Sequence, residues 1–360
     1  MHSDTQKLLA WYDQNSRSLP WRVPPSEVKR GVFPDVYKVW LSEVMLQQTT
    51  VAAVKEYFLS FTQRWPTVFD LAQAPDEDIL AAWAGLGYYA RARNLIKCAR
   101  VVAYEMKGVF PNTQERLLEL PGVGPYTAAA IASIAFGQRA VVVDGNVERV
   151  MSRKHAVMED IKKARSEIVR ISEIYTPESR PGCYAQALMD LGATVCTPKN
   201  PKCEICPWQT VCVAFSRGEA DQFPKKAPKK AKPVWVADAF VLRGEKGEWG
   251  LERRPEKGLL GGMEGFPTTV WGESRAEFEP PLMGDWIQVG EIKHTFTHLH
   301  LRLKVWCLRA PVKGWPNKLR RVSASDFSVD DLPTAMRKVA ASVQKFENEA
   351  GLISGNPSCR

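Results

Sequence analysis

The sequence predicts a multidomain protein, an all-α core with a cysteine loop followed by a smaller α+β domain. Three observations carry this. Residues 1–216 hold run after run of helical apolar spacing, residues 217–233 are basic and without periodicity, and from Val234 the pattern changes to strand-like alternation. A chain of 360 residues has room for two or three domains, each with its own core.

A short amphipathic helix begins at residues 8–11, followed by Leu19-Pro20-Trp21-Arg22 and a loop with Pro24, Pro25 and Pro34. The run VYKVWLSEVMLQQTTVAAVKE, residues 36–56, spaces Trp40, Glu43, Val44 and Gln47 as on one helix side, so Glu43 lies on or beside an apolar face. A glutamate there is either solvated at the helix edge or buried with a raised pKa. Buried glutamates are uncommon, so the run by itself favours the solvated reading.

Residues 65–98 read as helical. Within them WAGLGYYARAR, residues 83–93, combines two turn glycines, two flat tyrosines, and Arg91 and Arg93, which suit phosphate contact. The alternative is a core aromatic pair beside a solvated basic helix.

The central stretch, LLELPGVGPYTAAAIASIAFGQRAVVVDGN, spans residues 117–146. It reads as a helix end, a tight turn through Gly122 and Gly124, and a second, buried helix from Tyr126 to Phe136. Glycines let a partner approach the backbone closely, and amides at a helix N-terminus form a phosphate site. Three valines then lead to Asp144, a carboxylate at a packed boundary. A plain helical turn with an N-capping Asp accounts for this stretch as well. Residues 149–175 are mixed and helical, and residues 184–193 form a strong helix.

Cys196, Cys203, Cys206 and Cys212 follow as C-x6-C-x2-C-x5-C, four thiols within 17 residues. The count suits a 4Fe–4S cluster. Zinc also takes four thiolates, and spacing leaves it open, although zinc loops usually carry two C-x2-C halves. Lys199 and Lys202 are placed to meet phosphate, while Cys98, Cys183, Cys307 and Cys359 lack this spacing and read as buried or free thiols. FPKKAPKKAKP marks a solvated, extended linker over residues 217–233. Residues 234–350 form the α+β domain, with strands in VWVADAFVLR, GEWGLERRP and HLRLKVWCLRA and a terminal helix near residues 336–349, and residues 351–360 are a tail.

No apolar run approaches the roughly 20 residues of a membrane span. The N-terminus lacks signal-peptide character. The net charge of +9 suits a polyanionic partner. Cysteine spacing without a signal peptide favours a reducing compartment and a metal site over disulfides.

LPGVGP followed by Asp144 resembles the helix-hairpin-helix DNA glycosylase superfamily, in which the hairpin grips DNA phosphates. SEVMLQQT and GLGYYARARN look like its adenine-DNA glycosylase (MutY) branch, and GLLGGMEGFP with HTFTHLHL resembles that branch's C-terminal Nudix-like domain. The cysteine loop is similar to the cluster loop of endonuclease III and MutY, which implies a 4Fe–4S cluster. The helical domain would then comprise a six-helix module of about 22–135 and a cluster module of 1–21 and 136–216.

The resemblance implies the roles. Glu43 protonates the target adenine, Asp144 stabilises the sugar cation, and Tyr126 supports both. Where bifunctional relatives carry a Schiff-base lysine this chain has Tyr126, which implies a monofunctional enzyme leaving an abasic site. Gln48 and Tyr88 wedge the duplex, Gln186 and Arg22 lie at the adenine pocket, and further contacts fall on Thr49, Leu86, Gly122, Gly124 and Asn146. Phe296, Thr297 and His298 match the loop that reads 8-oxoguanine, with Thr where Ser is commoner. Met263-Glu264 replaces the family's usual aromatic. WGESRAEFE does not supply the REUxEExGU acidic cluster of a Nudix hydrolase, so the domain reads as a binding module. The implied partner is duplex DNA with adenine opposite 8-oxoguanine or guanine, bound by a cytoplasmic, nucleoid-associated bacterial monomer. A thymine-mismatch glycosylase, an abasic-site lyase and a protein that only binds lesions are the competing readings.

Overall fold

The computed structural model describes residues 2–227, 231–255, 258–310 and 314–350, and its contacts divide the chain into Met1–Pro228 and Lys229–Arg360.

The first unit is helical. It starts with α1 (Ser3–Asn15), α2 (Pro25–Lys29) and α3 (Val36–Leu46), then α4 (Val51–Arg64), α5 (Val68–Gln73) and α6 (Asp76–Ala82). The loop expected around the prolines contains α2, because Pro25 sits in the first turn, where its missing N–H costs nothing. The helical run at residues 36–56 is broken between α3 and α4. Gln48 takes a left-handed backbone, φ 56°, and Thr50 caps α4 by accepting from Ala53 N. Next come α7 (Tyr89–Arg100), extended by a π-helical turn (Val101–Glu105), α8 (Gln114–Leu117) and α9 (Pro125–Phe136). The unit ends with α10 (Gly145–His155), α11 (Arg165–Tyr175), α12 (Pro181–Thr194) and α13 (Val213–Ser216).

Helix α9 is the hub. Its Ala- and Ile-rich sequence is buried from Thr127 to Ala135, and it packs on α3 and α12. Small side chains let these helices approach closely. At Gly182 of α12 a Cβ would stand 2.5 Å from Ser133 O, so that crossing requires glycine. Truncating Ile131, fully buried here, would cost about 2–5 kcal/mol. The basic stretch after Arg217 begins packed rather than solvated: Phe223 is buried against Ala156 and Ala214, and Ile161 N donates to Lys225 O.

The second unit is a mixed sheet with one long helix. Its strands are β1 (Val234–Gly244), β2 (Trp249–Arg253), β3 (Glu264–Gly265), β4 (Ile287–Thr295), β5 (His300–Ala310) and β6 (Arg320–Val322). Their order is β3-β2-β1-β5-β4, with β6 on β2. The central β1–β5 pair is parallel, in register from Val234↔His300 to Gly244↔Ala310. Strand β5 alternates as its sequence predicts, turning Leu301, Leu303, Val305 and Cys307 inward. Helix α14 (Thr334–Glu349) covers that face with Met336, Val339, Ala340 and Val343. Strands β3, β4 and β6 were not legible. β3 and β6 are very short, and β4, at a sheet edge, is mostly exposed and lacks clean alternation.

Candidate active site

A cavity of about 790 Å³ opens where α3, the hairpin before α9, the start of α10 and one face of α12 converge. Glu43 reaches it from the last turn of α3, Tyr126 from the first turn of α9, Asp144 from the residue before α10, and Gln186 from α12. Arg22, Gln48, Thr49, Gly122, Gly124 and Asn146 also line it.

Glu43 is 6% exposed, and its Oε2 is buried without a hydrogen-bond partner. Burial pushes its pKa up to about 7; Tyr126 opposes the rise, the Asp144 charge adds to it, and Arg22 opposes it. The solvated reading of this residue is thereby overturned. Burial, then the facing carboxyls, hold the Tyr126 phenol well above its usual range, and its hydroxyl lies 3.6 Å from Met189 Sδ.

Asp144 is an N-cap, as the plain reading of its sequence allows, and it also faces the cavity. Its Oδ1 accepts from Val147 N at 2.7 Å and its Oδ2 from Asn146 Nδ2 at 2.8 Å. Asn146 Oδ1 in turn accepts from Arg149 Nη2 at 2.8 Å, and Arg149 also donates to Gly192 O and Cys196 O. Two carboxyls in one cavity thus have opposite surroundings. One is buried and holds a proton near neutrality, while the other accepts two N–H groups.

Arg22 is held by a residue that sequence reasoning missed. Asp190 of α12 is fully buried and accepts from Arg22 Nη1 at 2.8 and 2.9 Å and from Arg17 Nε at 2.6 Å. Gln186 and Met189 of α12 line the cavity, and Asp190, four residues after Gln186, falls on the same helix face. Gln186 Nε2 donates to Gly182 O, and its Oε1 is buried without a hydrogen-bond partner.

The two hairpin glycines differ. Gly122 has φ +75°, and a Cβ there would meet Asn94 Cβ at 2.7 Å, so the fold itself demands it. Gly124 has an ordinary φ of −93° and open space where a Cβ would be. Packing therefore does not require glycine at this position.

Two expectations at residues 83–93 change. Leu86 is buried in the core, and Arg91 is an internal strut rather than a surface phosphate contact. Nearby Tyr88 is half exposed with φ 49° and does not line the cavity.

The four quartet cysteines line one small cavity beside Arg153. Arg153 Nη1 donates to Cys196 Sγ at 3.3 Å and to Thr197 O at 2.7 Å. Four thiols around one cavity match the ligand count of an iron–sulfur cluster. Burial raises the Cys206 thiol to about 12.

In the second unit Phe296, Thr297 and His298 form the β4–β5 connection, with Phe296 N donating to Leu299 O and the ring packed edge-on to His294. Glu264 of the departing Met263-Glu264 pair bonds Arg320. The described residues contain no acidic cluster able to hold a metal ion.

A helical scaffold with a glycine hairpin, two unequal carboxyls in one cavity and a four-cysteine loop defines a base-excision glycosylase of the helix-hairpin-helix class. Residues 41–177 match the HhH-GPD superfamily base excision DNA repair proteins, residues 196–212 the iron-sulfur binding domain of endonuclease III, and residues 238–342 the NUDIX domain. The solved structure of a thermostable thymine-DNA glycosylase is similar, with a TM-score of 0.51 and 28% identity over 59% of this chain and 95% of its own. The human adenine DNA glycosylase is 37% identical over 92% of this chain and 72% of its own length. That of Buchnera aphidicola subsp. Baizongia pistaciae is 30% identical over 95% and 97%. The chain belongs to the adenine DNA glycosylases, a hydrolytic DNA-repair family that carries a 4Fe–4S cluster.

Proposed function

We propose that this chain removes adenine opposite 8-oxoguanine, and opposite guanine, from duplex DNA, acting as a monomer and stopping at the abasic site. The observation that carries the reading is Glu43, buried with a pKa raised to about 7 in the same cavity as Asp144.

The adenine leaves the stack, at a cost of a few kcal/mol, before its glycosidic bond is reachable. Gln48 and Tyr88 fill the gap, while Arg22 and Gln186 line the pocket that receives the base. Glu43 gives its proton to N7, so the C1′–N9 electron pair leaves with a neutral base. The sugar takes on oxocarbenium character, which the Asp144 carboxylate stabilises and Tyr126 supports. Water adds to C1′ and its proton returns to Glu43. Tyr126 has no amine with which to form an imine, so no lyase step follows. Cys196, Cys203, Cys206 and Cys212 would hold the cluster, whose part is structural or redox-sensing, without a bond to substrate. The hairpin amides at Gly122 and Gly124 grip phosphate, and exposed Lys199 and Lys202 add to that surface. Phe296, Thr297 and His298 read 8-oxoguanine in the opposite strand.

The thymine reading has one observation in its favour, the similarity to the thymine-DNA glycosylase, which covers 59% of the chain. Matches to adenine glycosylases extend over 92–95% of it. Single-turnover excision from duplexes with A opposite 8-oxoguanine, A opposite G and T opposite G separates the readings. Rapid loss of A opposite 8-oxoguanine, with breaks only after alkali, is expected. Breaks without alkali would refute the monofunctional assignment, and preferential loss of T the substrate assignment.

A further inference from the structure

Two turns that the proposed function assigns to the duplex share one buried side chain. The first, Gln47–Gln48–Thr49, ends α3 four residues after Glu43, and the second, Leu86–Gly87–Tyr88, precedes α7. Both are held at non-glycine residues in the left-handed region, Gln48 at φ 56° and Tyr88 at φ 49°, a conformation costing about 1 kcal/mol or more that persists only where its surroundings enforce it.

The enforcing group is the Arg91 guanidinium. Nη1 donates to Val44 O at 3.1 Å and Met45 O at 2.9 Å, carbonyls in the last turn of α3 that have no helical partner. Nη2 donates to Thr49 Oγ1 at 3.1 Å on the first turn, and to Leu86 O at 2.9 Å and Gly87 O at 3.2 Å on the second. The guanidinium carbon stands 5.2 Å from the Trp83 ring centroid and 5.7 Å from that of Tyr88. Arg91 is 9% exposed, and no carboxylate pairs with it among the described residues. Burying a cation against neutral oxygens alone is a costly way to fill a core. A planar fork that holds two chain segments at a fixed spacing is what only Arg supplies; the single ammonium of Lys cannot span five acceptors.

We propose that Arg91 is a positioning residue that locks the Gln48 and Tyr88 turns in one arrangement, so that the two wedges enter the duplex as a preformed unit. The proposal rests on the wedge roles given to Gln48 and Tyr88. Its consequence falls on base extrusion rather than on glycosidic bond cleavage, because Arg91 does not line the cavity holding Glu43 and Asp144.

The test is a double-mutant cycle on the cluster-loaded full chain. Extrusion is followed by stopped-flow fluorescence of 2-aminopurine at the target position opposite 8-oxoguanine. Cleavage of adenine is measured in single turnover, and folding is checked by circular dichroism and the visible absorbance of the cluster. Arg91→Lys is expected to slow extrusion by about 10- to 100-fold, the scale of an ångström-size misplacement. In a Gln48→Ala/Tyr88→Ala background the same substitution is expected to slow it less than about threefold, with the pH profile of cleavage unmoved. Equal effects in both backgrounds, or normal extrusion by folded Arg91→Lys, overturn the proposal. Unchanged extrusion by Gln48→Ala/Tyr88→Ala instead overturns the wedge reading beneath it. If Arg91→Lys loses its fold, Arg91→Gln replaces it, and failure of both to fold makes Arg91 a core residue and ends the proposal.

Discussion

Asn146 donates from Nδ2 to Asp144 Oδ2 at 2.8 Å while its own Oδ1 is held by Arg149. The Asp144 carboxylate therefore cannot turn without breaking a bond to a side chain that is itself anchored. Hydrogen bonds to charged groups contribute about 1.5–3 kcal/mol, so Asn146→Ala is expected to slow single-turnover excision by about 10- to 100-fold. The urea midpoint should fall as well, because both Asn146 bonds are present in the free protein. An unchanged rate would mean that Val147 N alone orients Asp144.

The raised pKa of Glu43 sets a pH profile. With Glu43 as the proposed acid, its protonated form does the work, so excision should fall about tenfold per pH unit above pH 7, and Glu43→Gln should be inactive throughout. The sign for stability follows from the same shift. An acid whose folded pKa, about 7, exceeds its unfolded 4.5 is held most favourably below pH 4.5, and the fold loses stability as pH rises through 7, by up to about 3 kcal/mol. The melting temperature of Glu43→Gln relative to wild type should therefore increase between pH 5 and pH 8. A difference independent of pH would remove the case for a buried proton donor.

Substituting the hairpin glycines separates folding from recognition. Gly122→Ala meets both the positive φ and Asn94, and should lose at least about 1 kcal/mol in urea denaturation. Gly124→Ala meets no atom within 4 Å, and should melt like wild type while binding duplex DNA more weakly. Normal binding by folded Gly124→Ala would argue against phosphate contact at the hairpin.

Asp190 neutralises two arginines in a fully buried position. Asp190→Asn keeps the shape and removes the charge, and is expected to cost about 3–5 kcal/mol because Arg17 and Arg22 are left uncompensated. Urea midpoints measure this, and a loss under about 1 kcal/mol would place the pair in the class of solvent-screened bridges.

Much of the site was legible because its signals are local. The hairpin from Gly122 to Pro125, the carboxylate after three valines and the cysteine quartet each lie within a few turns of chain, where backbone geometry and ligand count are readable from spacing. So was strand β5, whose alternation reports a sheet face directly. Edge strand β4 was not, since exposure removes the apolar constraint that makes a period visible.

The sequence by itself determined where chain direction changes, which faces are apolar and which chemical groups are available. Tertiary structure alone decided what those groups became. Glu43 is a buried carboxyl with a raised pKa rather than a solvated edge residue because elements around residues 126, 144 and 186 close over it. Arg22 is fixed by Asp190, 168 residues away, and Arg91 is a strut because α3 ends beside it, 46 and 47 residues back. The reason is the range of the forces. Backbone preference is set by neighbours in the chain, but burial, and with it the dielectric that shifts a pKa or forces a cation to find oxygen, is set by whatever segment arrives to exclude water.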